Sequence, residues 1–186
     1  MTILKILNEE ISQCDFCDLR KNIKDEIPLS PKGGGKIMFV TPAPNFDNLF
    51  LGQHFSIDEQ RYFDLMLKAA GVDKSDIYLT SITKCSYNKD NKKNLTCKDI
   101  CATKFLLREI REIEPKIIVT MGKVPTCHFL NIPISRLKLK DYAHKIYQEE
   151  YSEEKYKILP TYGLAYLMQQ GRKMTDEFIG RLKEIG

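Results

Sequence analysis

The stretch Lys116-Ile117-Ile118-Val119-Thr120-Met121-Gly122 decides the fold. Its core is apolar at consecutive positions, so an extended chain here buries both faces. Such a strand belongs to a parallel sheet covered by helices on each side. Pro115 ends a helix predicted over 97–112, and Gly122 opens a turn into a short helix at 124–130. Working outward, similar apolar runs occur at 36–41, 77–83 and 158–161. Helical spacing of apolar residues appears at 2–13, 164–170 and 174–185. Ser56 with Glu59 forms a capping box for a further helix that Gly71 terminates. Residues 131–157 are charged and tyrosine-rich, consistent with a short hairpin. The pattern predicts an α/β fold: a three-layer α/β/α sandwich around a central, mostly parallel four-stranded sheet. Residues 1–186 read as a single domain.

Composition narrows the class. The chain has 186 residues, 42% hydrophobic and 29% charged, which suits a globular domain and excludes a disordered one. A net charge of +4 permits nucleic-acid binding without requiring it. No apolar run reaches membrane-spanning length. The first fourteen residues read as an amphipathic helix with acidic residues and no cleavage site, so an intracellular location without a membrane partner is expected.

In a parallel α/β sheet the ligand site lies at the carboxyl ends of the strands. That edge gathers 41–54, 81–85, 122–126 and 160–168. The long irregular loop after the first strand is the segment most suited to carry function.

Six cysteines are many for an intracellular chain of this size. In a reducing compartment they point to metal or catalysis rather than disulfides. Cys14-x-x-Cys17 suits zinc, an iron–sulfur cluster or a redox dithiol. Cys85 ends a strand, and Cys101 follows sixteen residues later on the next helix. A strand end and a helix start can converge on one centre. Cys97, one helical turn before Cys101, competes for the fourth ligand position. Cys127, just past an apolar strand, reads as a small buried hydrophobe. Composition alone does not separate four-cysteine zinc from [4Fe–4S].

Several ordered motifs together resemble the iron–sulfur (family 4) uracil-DNA glycosylases. They are Cys14-x-x-Cys17 with Leu19; a strand and A-P loop at 38–45; F-L-G at 50–52; Y-L-T-S-I-T-K-C at 78–85; Cys101 followed by F-L-L-R-E-I; E-P-K-I-I-V-T-M-G at 114–122; and P-T-Y-x-x-A-Y-L at 160–167. The resemblance implies a structural [4Fe–4S] cluster on Cys14, Cys17, Cys85 and Cys101, with zinc as the alternative. It also implies DNA as partner, with Lys84, Lys89, Lys92 and Lys93 placed to meet phosphates.

The resemblance is incomplete where chemistry is needed. Such enzymes flip a base into a pocket. Phe50 matches the family's stacking aromatic, and Ala43, Asn45, Ser81 and Gly163 fall on the pocket positions. The family's acidic residue is replaced by Pro42, which has no ionisable group and no N–H. The base-reading asparagine is Ser81, whose hydroxyl cannot present an amide's paired donor and acceptor. The histidine after the Thr-Tyr pair is Gly163. Nearby replacements are Asp47, to position water, and His54, as an electrophile; Asn48, Tyr162 and Tyr166 are further polar or aromatic groups in reach. Two functions follow as expectations. One is a divergent DNA-binding protein, an accessory to repair or replication that pairs with a protein of those processes. The other is an active glycosylase with a rebuilt pocket.

Overall fold

The computed structural model describes residues 3–22, 31–44, 53–86, 94–151 and 154–185. Among these, helices α1 (Ile3–Ser12) and α2 (Asp18–Asn22) precede a sheet built from β1 (Lys32–Gly33), β2 (Ile37–Thr41), β3 (Ile77–Ser81), β4 (Ile117–Met121), β5 (Tyr147–Tyr151) and β6 (Glu154–Thr161). The strand order is β1-β3-β2-β4-β6-β5. The central four strands are parallel, as the apolar runs predict.

The sheet has six strands rather than the expected four, because an antiparallel strand is added at each edge. β1 runs into the Gly33-Gly34-Gly35 segment, where Gly33 has a positive φ of 96° and both Gly33 and Gly35 are also required by close contact. A Cβ on Gly33 would stand 2.2 Å from the Ile77 carbonyl oxygen, and one on Gly35 would stand 1.9 Å from the Asp76 carbonyl carbon. At the other edge, β5 and β6 form the anticipated hairpin, and β6 begins well before the apolar run.

Alternation along each central strand divides the core into two layers. Phe39, Leu79, Val119 and Leu159 face α3 (Ile57–Ala70), α7 (Leu164–Gln170) and α8 (Arg172–Lys183). Met38, Val40, Tyr78, Ile118 and Ile158 face the opposite helical layer. That layer contains α4 (Asn94–Cys101), a π-helical turn over Ala102–Leu106, α5 (Leu107–Ile113) and α6 (Lys123–Phe129). The three-layer α/β/α arrangement is therefore as expected.

The Ser56 capping box forms. Ser56 Oγ accepts from the Glu59 N–H at 3.2 Å, and the Ser56 N–H donates to Glu59 Oε2 at 2.9 Å. Gly71 closes the same helix in the left-handed conformation at φ 73°. No described helix is long and apolar enough to cross a membrane.

Candidate functional site

Two regions carry the residues singled out by the sequence. The first lies where α1 and α2 meet the segment after β3 and the helix α4. The turn following α1 is closed by the Cys14 N–H donating to the Ile11 carbonyl at 3.2 Å and by Arg20 Nε donating to the Cys14 carbonyl at 3.1 Å. Cys14 and Cys101 pack against Leu7, Ile11 and Phe105. Cys17 packs against Leu19, Cys85 and Cys97. All five of these cysteines line one apolar cavity, partly open to solvent. At its rim Lys104 Nζ sits 3.2 Å from the centroid of the Phe16 ring.

The thiols are shaped by their surroundings. Burial, reinforced by Cys101, Cys17 and Cys14, pushes the Cys85 thiol up to about 12. Burial pushes Cys101 up to about 11, against the opposing pull of Lys84. Burial also raises Cys14. A thiolate in this cavity therefore needs a cation to be held, which is what a metal centre supplies. The Lys84 backbone N–H donates to Cys101 Sγ at 3.3 Å, as a hydrogen bond to a cluster-ligating sulfur would.

The donor set is all sulfur, which suits iron–sulfur or zinc. Around one zinc with bonds of about 2.3 Å, four sulfurs lie within about 4 Å of each other. Among the described residues no three His, Cys, Asp or Glu side chains are gathered so as to hold a metal ion. The five thiols line one cavity, and their chemistry is compatible with either group.

Lys84 requires a correction. It was expected to face phosphate, but its side chain is buried at 1% exposure. Its ammonium is 2.7 Å from Glu109 Oε1 and donates to Thr80 Oγ1 at 2.7 Å and to the Ser81 carbonyl at 2.8 Å. Thr80 Oγ1 in turn donates to Glu109 Oε2 at 2.5 Å. The ion pair locks α5 to the end of β3 directly beneath the thiol cavity. An ammonium held by three core acceptors has no reach to solvent.

The second region is the carboxyl edge of the parallel strands. The Thr83 N–H donates to the Pro42 carbonyl at 3.2 Å, and the Gly122 N–H donates to the Thr161 carbonyl at 2.8 Å. A Cβ on Gly122 would lie 3.9 Å from both Pro42 Cγ and the Gly163 nitrogen. Pro42, Ser81 and Gly163 thus gather at one edge, as the sequence pattern requires. Ala43 is beside them, its carbonyl 3.5 Å from Thr41 Oγ1. None of the three brings a carboxylate, amide or imidazole. Ser81 is fully buried and its hydroxyl donates to the Thr83 carbonyl at 2.6 Å, so it is not offered to a ligand. His54 is buried at 3% exposure immediately ahead of the core residue Phe55. Asn45, Asp47, Asn48, Phe50, Lys89, Lys92 and Lys93 lie outside the described residues.

Cys97, the competitor for the fourth ligand position, lines the cavity with the other four. One residue, His144, escaped the sequence reading. His144, in a left-handed conformation at φ 63°, places Nε2 at 3.3 Å from Thr161 Oγ1 and Nδ1 at 3.5 Å from Glu177. Its ring stacks on Phe178 and meets Tyr162 edge-on. Burial lowers its proton affinity despite Glu177. No local motif marks it, because its position depends on a turn that hydrogen-bonds to the Pro160 carbonyl. Tyr162 stacks on Tyr166 at 4.9 Å, and Tyr166 is exposed rather than core.

The model of the Uracil DNA glycosylase superfamily matches residues 27–184, and the chain belongs to that superfamily. It is similar to the type-4 uracil-DNA glycosylase of Archaeoglobus fulgidus, with 27% identity over 194 residues covering all of this chain and 93% of that protein. The type-4 uracil-DNA glycosylase of Saccharolobus solfataricus is 27% identical over 197 residues, covering 99% of this chain and 87% of its own. That of Sulfurisphaera tokodaii is 26% identical over 195 residues, covering all of this chain and 86% of its own.

Proposed function

We propose that this protein is a DNA-binding, iron–sulfur member of the superfamily that has kept the cluster and lost uracil excision, serving as an intracellular accessory to DNA repair or replication. The observation that carries the reading is the convergence of Pro42, Ser81 and Gly163 at one strand edge without a group able to read a uracil edge or stabilise a departing anion. Removing a single donor aimed at a developing charge commonly costs 10²–10³ in rate. The missing histidine is a loss of that kind, and the acidic and base-reading positions are lost with it.

Cys14, Cys17, Cys85 and Cys101 would hold the cluster, with the N-terminal segment forming a cluster-binding arm on a single domain. The cluster supplies a covalent tie between that arm and the chain around Cys85 and Cys101. The loop between those two cysteines carries Lys89, Lys92 and Lys93, which would meet phosphates. Binding should then weaken with salt. Replacing one of these lysines by alanine should reduce the log–log salt slope by about 0.9 on duplex DNA.

The test is single-turnover excision with excess protein on oligonucleotides carrying uracil, hypoxanthine or xanthine. The expected result is salt-dependent binding with no abasic product. Abasic product abolished by Asp47→Asn or His54→Ala would overturn the accessory reading and establish an active glycosylase with a rebuilt pocket.

A further inference from the structure

The cavity holds one more sulfur than a four-cysteine centre uses. Cys97 is 4% exposed and stands on its wall. It precedes Cys101 by one helical turn, so both project from the same face of α4. It packs with Leu19, Cys85 and Cys17, whereas Cys14 and Cys101 pack against Leu7, Ile11 and Phe105. The fifth thiol is therefore packed with two of the four ligands, of which Cys85 is buried just after β3 while Cys17 is only partly buried on the N-terminal arm.

We propose that Cys97 is an interchangeable ligand for the position of Cys17, so that the centre is served by four sulfurs drawn from five. This rests on the four-cysteine reading given above. In the exchange, Cys97 releases its thiol proton as its sulfur bonds the iron, and the departing Cys17 sulfur takes up a proton. No electron is transferred and the iron keeps its oxidation state. Because the two side chains pack together and line one cavity, the swap would need a side-chain rotation rather than a backbone rearrangement. Cys14 has no such neighbour beyond the assigned set. The consequence is a centre that tolerates loss of Cys17 but not of Cys14.

The experiment measures iron and acid-labile sulfide in anaerobically purified full-length protein. The variants are Cys17→Ala, Cys14→Ala, Cys97→Ala and Cys17→Ala/Cys97→Ala, alanine being chosen because serine can itself ligate iron. Cys97→Ala and Cys17→Ala should each keep the wild-type iron content. Cys14→Ala and the double variant should fall to background. Loss of iron from Cys17→Ala, as complete as from Cys14→Ala, would overturn the proposal. Wild-type protein without iron and sulfide would instead refute the cluster reading itself. Should Cys17→Ala fail to fold, slow alkylation of the wild-type holoprotein with peptide mapping decides the matter. Label on both Cys17 and Cys97 while iron is retained supports exchange, and an unlabelled Cys17 overturns it.

Discussion

Ser81 and Cys85 are four residues apart, yet they belong to regions with opposite histories. Around Cys85 every expected sulfur is present and one more is added. Around Ser81 the acidic, amide and imidazole positions are proline, serine and glycine. The difference follows from how each region is tied to the fold. The thiols pack against α1, α2 and the π-helical turn, and beneath them Lys84 and Glu109 form a buried pair. Losing such a group leaves a cavity or an unpaired buried charge. The strand-edge groups sit at the ends of strands whose hydrogen bonds are complete without them. Chemistry at that edge can be lost while stability is retained.

The strongest way to sharpen this contrast is Lys84→Ala. It leaves Glu109 buried without its cation and should destabilise the protein by about 3–5 kcal/mol. Denaturant unfolding measures this. The paired change Lys84→Met with Glu109→Leu should recover most of the loss, since a well-packed apolar pair often matches a buried ion pair.

Next is restoration of the edge. The triple variant Pro42→Glu, Ser81→Asn, Gly163→His should fold as the parent does. It should gain uracil excision by at least about 10²-fold in single turnover, the scale of one recovered charge-stabilising group. Failure to gain any excision would show that the edge is not what limits chemistry.

A smaller effect tests the packing away from both regions. Burial, with the Lys98 charge adding to it, pushes His128 down to about 4, and its ring bonds the Tyr151 hydroxyl at 2.8 Å. The folded state therefore binds its proton later than the unfolded chain does. Stability from this group is present above about pH 6.5 and is lost as pH falls toward 4, by roughly 2–3 kcal/mol. His128→Phe should flatten that part of the pH–stability curve. Smallest is Ser56→Ala, which removes one partner of the capping box and should cost about 1 kcal/mol without changing iron content or DNA binding.

Much of this was legible in the sequence. The four parallel strands announce themselves because burial on both faces leaves unbroken apolar runs, and the capping box is local by nature. The edges were less legible: β1 is held by backbone pairing of a glycine-bearing segment and left no signal, and β5, within the expected hairpin, alternates exposed and half-buried residues without an apolar run to fix its bounds. The cysteine spacing marks Cys97 as a competitor but does not decide whether it joins the other four, because Leu19, against which it packs, is far away in the chain. Lys84 read as a member of a basic loop because its partner, Glu109, lies on another element. Glu109 itself sits in the F-L-L-R-E-I motif, where an acidic residue on an apolar helix face is the signal that could have found it. Proline, serine and glycine at the edge were readable directly, since what matters there is which side chains are missing.

The account stands most directly on the metal content of the wild-type protein. Anaerobically purified protein is expected to be brown, absorbing near 400 nm, with about four irons and four sulfides per chain. One zinc per chain, or neither iron nor sulfide, would contradict it.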